Sequence, residues 1–85
     1  MKSEAKVGQV THYFSRISVA VLDLSNPLRV GDLINIVGDI TDFQQAVTSM
    51  QVNYEDVEEG KPGQKVAVKV ASRVRQGDVI YQSEE

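Results

Sequence analysis

Apolar residues recur at every second position along much of the chain, and this period of two constrains the fold more than any other feature. The alternation is clear in segments 17–21 and 66–70, where it places the apolar side chains on one face of a β-strand. Clusters of turn-forming residues separate such segments, for example at 25–27 and 59–63. No segment has the three-to-four spacing of an amphipathic helix. The sequence therefore predicts an all-β protein.

The alternation and the turns together predict six strands and one core. The strands are expected at about 6–14, 17–24, 32–38, 43–53, 64–70 and 78–81. The predicted core residues are those that fall on one side of these strands: Val10, Ile17, Val19, Val21, Ile34, Ile36, Met50, Val52, Val66, Val68 and Val70. We predict a single domain over 7–82, a flexible N-terminus over 1–6 and a C-terminal tail over 83–85.

A short motif occurs twice. It reads L-R-V-G-D-L-I at 28–34 and V-R-Q-G-D-V-I at 74–80. In each copy a glycine that can adopt positive φ precedes an aspartate that can bond nearby backbone amides, and an apolar strand follows. We interpret both copies as turns that start strands and predict positive φ at Gly31 and Gly77.

Composition excludes several kinds of functional site. The 85 residues include no cysteine and one histidine, His12, so disulfides, thiolate zinc sites, iron–sulfur clusters and paired-histidine metal sites are excluded. Thr11 and Ser15 lie near His12, but nothing in the spacing selects a catalytic triad. No glycine-rich phosphate loop is present. A domain this small forms a thin core without a deep substrate cavity. We predict no enzymatic activity, metal, cofactor or bound nucleotide.

Charge and hydropathy argue against membranes and against strong polyanion binding. The longest apolar run, 19–22, has four residues, far short of the roughly 20 that span a bilayer. Residues 1–6 lack the apolar stretch of a signal peptide, so a cytoplasmic protein is expected. The net charge of -3 opposes strong, non-specific binding of nucleic acid. Any contact with nucleic acid is therefore expected to be local.

The chemistry of local RNA contact is present in two parts of the chain. Segment 12–16, H-Y-F-S-R, sets aromatic rings beside a cation, and four further cations follow at Lys65, Lys69, Arg73 and Arg75. Stacking rings beside cationic groups are typical of single-stranded RNA recognition. The alternative interpretation is that Phe14 belongs to the core and that the lysines form the solvated face of a strand.

Five segments resemble, in order, domain two of translational GTPases such as elongation factor Tu. They are V-G-Q-V-T-H-Y-F at 7–14, L-R-V-G-D-L-I-N-I-V-G at 28–38, T-S-M-Q at 48–51, K-P-G-Q-K-V-A-V at 61–68 and G-D-V-I at 77–80. The resemblance covers about residues 7–82. It implies a six- or seven-stranded closed Greek-key barrel, with no GTPase activity because the nucleotide domain of that family is absent.

Two phrases carry a closer resemblance, V-T-H-Y-F at 10–14 and T-D-F-Q-Q-A-V-T-S-M-Q at 41–51. They are similar to small stand-alone translation elongation factor-like proteins and to the C-terminal barrel of collagenase-like peptidases. The resemblance to translation-factor domain two implies a module that contacts tRNA or rRNA. The residues expected to make this contact are Tyr13, Arg16, Lys65, Lys69, Arg73 and Arg75. The resemblance to collagenase-like peptidases implies an accessory protein-interaction domain beside a partner enzyme. Convergence of the cations on one face would favour RNA, whereas an exposed apolar patch would favour a protein partner.

Overall fold

Ten β-strands make up the secondary structure of residues 5–83, the part of the chain that the computed structural model describes. They are β1 (Ala5–Phe14), β2 (Val19–Leu24), β3 (Leu28–Arg29), β4 (Leu33–Val37), β5 (Asp42–Ala46), β6 (Met50–Val52), β7 (Glu55–Asp56), β8 (Glu59–Gly60), β9 (Lys65–Lys69) and β10 (Val79–Gln82). The all-β prediction is confirmed. The described residues contain no helix long and apolar enough to cross a membrane.

Eight of the strands form one antiparallel sheet in the order β5-β4-β10-β1-β2-β9-β6-β7, and β3 pairs with β8. Within residues 5–83 the ladder ends at β5 on one side and at β7 on the other, so the predicted closed Greek-key barrel is not confirmed. Two side-chain hydrogen bonds of Gln45 connect β5 to the end of β9. Its Nε2 donates to the Lys69 carbonyl at 2.9 Å, and its Oε1 accepts the N–H of Ala71, just beyond β9, at 2.7 Å.

The strand predicted over 43–53 is divided in two. β5 ends at Ala46 and β6 begins at Met50. Val47, between them, is not part of either strand and makes backbone hydrogen bonds to the glycine–aspartate turn that precedes β4. Its N–H donates to the Asp32 carbonyl at 2.9 Å, and its carbonyl accepts the Gly31 N–H at 2.8 Å. The remaining extra strands, β3, β7 and β8, have two residues each, too few for an alternating pattern to be visible in the sequence.

Among residues 5–83, fifteen apolar residues are fully or nearly fully buried and form the core: Val7, Val10, Ala20, Leu22, Leu24, Leu28, Ile34, Ile36, Val47, Met50, Val66, Val68, Val70, Val74 and Ile80. Seven of the eleven predicted core residues are confirmed. Ile17 is 58% exposed, and Val19, Val21 and Val52 are half-buried. The prediction for β2 was wrong by one residue, since Leu22 and its inward neighbours fill the core and the valines face outward.

A bulge in β1 reverses its alternation. Val10 pairs with Leu22 but His12 pairs with Val21, so Thr11 is the extra residue. Beyond it Tyr13 packs against the core, whereas Phe14 is 46% exposed. The alternative interpretation, which placed Phe14 in the core, was therefore wrong.

The two copies of the glycine–aspartate motif form turns of the same geometry. Gly31 has φ of 100° and Gly77 has φ of 97°, which confirms the predicted positive φ. In each turn the aspartate carboxylate, Asp32 or Asp78, accepts the backbone N–H three residues earlier at 2.9 Å. A short polar side chain and a residue without Cβ thus fix both turns.

The strands that follow these turns repeat the same pairing. The N–H of Val47 donates to the aspartate carbonyl of the first turn at 2.9 Å, and that of Val10 does so in the second turn at 2.8 Å. Between them β4 and β10 pair with Asn35 opposite Tyr81, and these two residues hold the same place in each copy. The four strands β5-β4-β10-β1 are therefore related by an approximate two-fold axis.

The predicted terminal segments are only partly described. Lys6 pairs with Tyr81 in the ladder between β1 and β10. Ser83 is buried, and its N–H donates to the Leu33 carbonyl at 2.8 Å. The rest of these segments, 1–4 and 84–85, lies outside the described residues.

Candidate functional site

The outward face of β2 and β9 carries apolar side chains where a solvated sheet face normally carries polar ones. Val19 lies opposite Lys69 and Val21 lies opposite Ala67 in the antiparallel register. The two valines face outward because their neighbours Ala20 and Leu22 point into the core, and on this outward face they are half-buried. This face is therefore an apolar strip. On β9 a lysine stands at each end of the strip, Lys65 at one end and Lys69 at the other.

Two hairpins border this strip and turn it into a groove of about 530 Å³. Phe14 and Ile17 stand at the β1–β2 hairpin and Tyr54 at the β6–β7 hairpin, and their exposed fractions are 46%, 58% and 96%. The lining consists of ten residues: Phe14, Ile17, Val19, Val21, Gln51, Asn53, Tyr54, Lys65, Val66 and Ala67. We call this surface the β2–β9 groove.

Tyr54 stands at the edge of the β2–β9 groove and has a strained backbone conformation. Asn53 and Tyr54 form the two-residue connection between the paired Val52 and Glu55, with φ of 53° and 68°. Positive φ at both positions is typical of a type I′ hairpin turn, in which glycine usually takes the second position. A tyrosine there is strained, and its ring gains no burial in return within residues 5–83.

Tyr13 and Arg16, which were expected to contact RNA together, lie in different environments. Tyr13 lies opposite Ala20 and packs against the core. Arg16 is exposed in the β1–β2 hairpin, between Phe14 and Ile17 of the groove wall. Phe14 faces outward instead and packs on the His12 ring with centroids 4.5 Å apart.

The later cations divide into two groups. Lys65 and Lys69 are exposed on β9, and of the two only Lys65 lines the groove. Arg73 and Arg75 are exposed in the connection from β9 to β10, which leaves the groove face where the Val70 N–H donates to the Ser18 carbonyl. Within residues 5–83 none of these side chains has a carboxylate at ion-pair distance. The one ion pair there joins Arg29 and Glu59 at 3.8 Å.

Sequence reasoning missed the residues that form the groove, above all Ile17, Val19, Val21 and Tyr54. The available signal was the unbroken apolar run 19–22, which makes β2 apolar on both faces and so exceeds what one core can absorb. The described residues contain no cluster of three or more histidine, cysteine, aspartate or glutamate side chains that could hold a metal ion.

Comparison with known proteins identifies relatives among peptidases. No protein-family model matches the chain. It is 40% identical over 77 residues to an uncharacterized protease of Methanocaldococcus jannaschii, a match that covers 89% of this chain and 19% of the protease. It is 33% identical over 82 residues to a collagenase of Porphyromonas gingivalis, covering 94% of this chain and 23% of the collagenase. The chain thus spans about a fifth of the length of these relatives.

Two solved structures have the same fold as this chain. The C-terminal domain of a Geobacillus thermoleovorans protein assigned to the U32 peptidases superposes with a TM-score of 0.86 at 22% identity, over 96% of this chain and 93% of that domain. A second crystal structure of the same domain, its selenomethionine variant, gives a TM-score of 0.84. None of these matches supports the resemblance to translation-factor domain two. The chain is homologous to a segment of peptidases and collagenases and has the fold of a U32-peptidase C-terminal domain.

Proposed function

We propose that the protein is a non-enzymatic accessory domain that acts beside a peptidase by contacting another protein. The observation that carries this proposal is the 40% identity over 77 residues to a segment that makes up only 19% of a protease. A segment that small leaves most of the protease to supply the catalytic machinery. The contribution expected from this domain is then binding or positioning.

The exposed apolar surface supports contact with a protein. Phe14 and Ile17 are about half exposed and Tyr54 is almost fully exposed, all at the border of one groove. Contiguous exposed apolar surface on a small soluble domain marks interaction sites. Aromatic residues in particular are enriched where proteins meet.

The environment of the histidine supports a non-enzymatic role. The His12 ring packs on the Phe14 ring and is exposed to solvent. A general base must instead lie within hydrogen-bond reach of the nucleophile it activates. In the described residues Thr11 Oγ1 donates to the Val21 carbonyl at 3.2 Å, so the hydroxyl nearest in sequence is engaged with the backbone.

A domain exchange tests the accessory role. In the Porphyromonas gingivalis collagenase, the segment matched over 82 residues is deleted in one variant and replaced by this chain in another, and cleavage of collagen is measured. We expect the deletion to lose activity, the replacement to restore it, and this chain alone to cleave nothing. A replacement carrying Val68→Asp, which disrupts the core, serves as the control. Full activity of the deletion variant would refute the proposal, and cleavage by the isolated chain would refute its non-enzymatic part.

RNA binding is a second candidate, favoured by one observation. Arg16, Lys65, Lys69, Arg73 and Arg75 are exposed and have no ion-pair partner among residues 5–83, so all five are free to contact phosphates. The split between the groove and the β9–β10 connection, together with the net charge of -3, weighs against a single strong RNA surface.

A further inference from the structure

We propose that the β2–β9 groove is the contact surface of a homodimer, in which a second copy of this chain lies face to face on the groove. The two copies are related by a two-fold axis that runs parallel to β2 and β9, which we call the dimer axis. This inference goes beyond the accessory function proposed above and does not depend on it. It rests on the placement of the two groove walls and on the charges of the apolar strip.

The first wall rises on the β1 side of the groove, at the end where Lys69 lies. Phe14 pairs with Val19, and Val19 pairs with Lys69. Ile17 is in the hairpin that joins Phe14 to Val19, at the same end of the strip. The first wall therefore occupies one corner of the strip.

The second wall stands at the diagonally opposite corner. β6 lies on the other side of β9, and its register partners on β9 run from Val68 to Ala67, so β6 points toward the Lys65 end. The turn that carries Tyr54 follows directly, and its side chain is almost fully exposed. A two-fold axis in the plane of the strip therefore places each wall of one copy over an open corner of the other. Such a surface is self-complementary in shape, as a symmetric dimer requires.

The charges of the strip decide how the dimer axis is directed. Asp23 and Lys65 are register partners and are exposed, and neither has an ion-pair partner among residues 5–83. An axis parallel to the strands sets Asp23 of each copy against Lys65 of the other, and Val21 against Ala67. An axis perpendicular to the strands would instead set Lys65 against Lys69. The first arrangement forms two ion pairs across the axis, whereas the second brings like charges together.

The other charged side chains near the strip are compatible with this arrangement. Lys69 faces Val19 of the second copy, where its methylene stem covers the valine and its ammonium group stays in water. Asp56 lies on β7, two strands from β9, and is engaged in its own copy, since it accepts the Gln51 Nε2 at 3.0 Å. A second copy thus balances both charges of the Asp23 and Lys65 pair. An occupant with charges of one sign would leave one of the two unpaired.

The size of the contact predicts a weak dimer. Ten residues line the groove, whereas each side of a standard stable interface contributes roughly 20–30 residues. The apolar strip with charges at its ends has the arrangement of an interface core and rim. We therefore expect a dissociation constant on the order of 0.1 mM.

Sedimentation equilibrium of the full chain, from about 10 µM to about 1 mM, tests the proposal. We expect monomers at the lowest concentration and mostly dimers at the highest. Tyr54→Gly removes a wall and relieves the positive-φ strain, so the fold is retained, and the dimer should be about five- to tenfold weaker. Ile40→Ser is the control, because Ile40 is 72% exposed and does not line the groove. It should dimerise as the wild type does.

Exchange of charges tests the direction of the dimer axis. Asp23→Lys and Lys65→Glu each turn both ion pairs into like-charge contacts, so each variant should dimerise at least about fivefold more weakly. An equal mixture of these two variants should recover dimers, because each supplies the charge that the other needs. Asp39→Lys and Lys61→Glu make the same charge changes at exposed residues outside the groove. These controls, alone or mixed, should associate as the wild type does.

The outcomes separate this inference from the accessory function. A wild-type chain that stays monomeric at about 1 mM would overturn the dimer proposal and leave the groove to a different occupant, the peptidase or RNA. A Tyr54→Gly variant that dimerises normally, or a mixture that associates no better than its two components, would overturn it as well. If the domain exchange restores collagen cleavage while the chain stays monomeric, the dimer proposal alone is refuted.

Discussion

Val68 is expected to be among the positions where a small change destabilises the domain most. Its side chain is fully buried, and its register partners are Ala20 on β2 and Met50 on β6. Val68→Ala removes two methyl groups, a transfer loss of about 1.6 kcal/mol. The cavity left behind raises the expected cost to about 2–3 kcal/mol. For a domain of this size that corresponds to a fall in Tm of roughly 10–20 °C.

Thermal unfolding followed by circular dichroism measures this loss. Val21→Ala is the matched control, because Val21 lies on the outward face of the neighbouring strand and is half-buried; its expected cost is about 1 kcal/mol or less. Val68→Asp should leave the chain unfolded, since an unpaired buried charge costs more than the roughly 4–13 kcal/mol that stabilises a domain of this length. Equal losses for the two alanine variants would refute the assignment of inward and outward faces.

Three further predictions concern turns and RNA. Gly77→Val should cost about 1–3 kcal/mol in urea denaturation, more than Gln76→Val beside it, because its φ is 97° while open space surrounds the new Cβ; equal costs would contradict this. Tyr54→Gly should raise stability by about 1 kcal/mol, and a fall would mean that the ring packs in the fold. If RNA binds, its affinity should fall with log salt at a slope of about -2 to -4, and Arg16→Ala should reduce that magnitude by about one. Tyr13→Ala should then lower Tm rather than affinity, and no binding at about 50 mM salt would end the RNA hypothesis.

Much of the fold could be predicted from the period of two and from turn chemistry. Both glycine–aspartate turns and the inward residues of β4 and β9 follow from local pattern, because each of those strands is apolar on one face. β2 could not be phased in this way, since its valines and leucines compete for the core and only the packing of the whole sheet decides between them. The bulge at Thr11 leaves no mark in the alternation, so the faces of Tyr13 and Phe14 were exchanged.

The candidate site was harder to predict than the fold. Arg16, Lys65 and Lys69 were singled out for their charge, and of these Lys65 lines the groove. Its apolar lining depends on contacts between strands that are distant in the sequence, such as β2 with β9. The role of Tyr54 depends on a backbone conformation that residue type argues against, so the sequence offered little warning of it.

The approximate two-fold axis through β4 and β10 has a consequence for how the chain can be connected. Ile36 and Phe43 are register partners joined by residues 37–42, and they correspond to Gln82 and Ala5, which are register partners as well. A six-residue link copied from 37–42 should therefore join residue 82 to residue 5, and the chain could be opened between the exposed Asp39 and Ile40 instead. Such a circular permutant would move both chain ends to the position in the sheet that the two-fold axis relates to the present one, while leaving the β2–β9 groove intact. It would show that the two halves of this sheet are interchangeable in topology as well as in geometry.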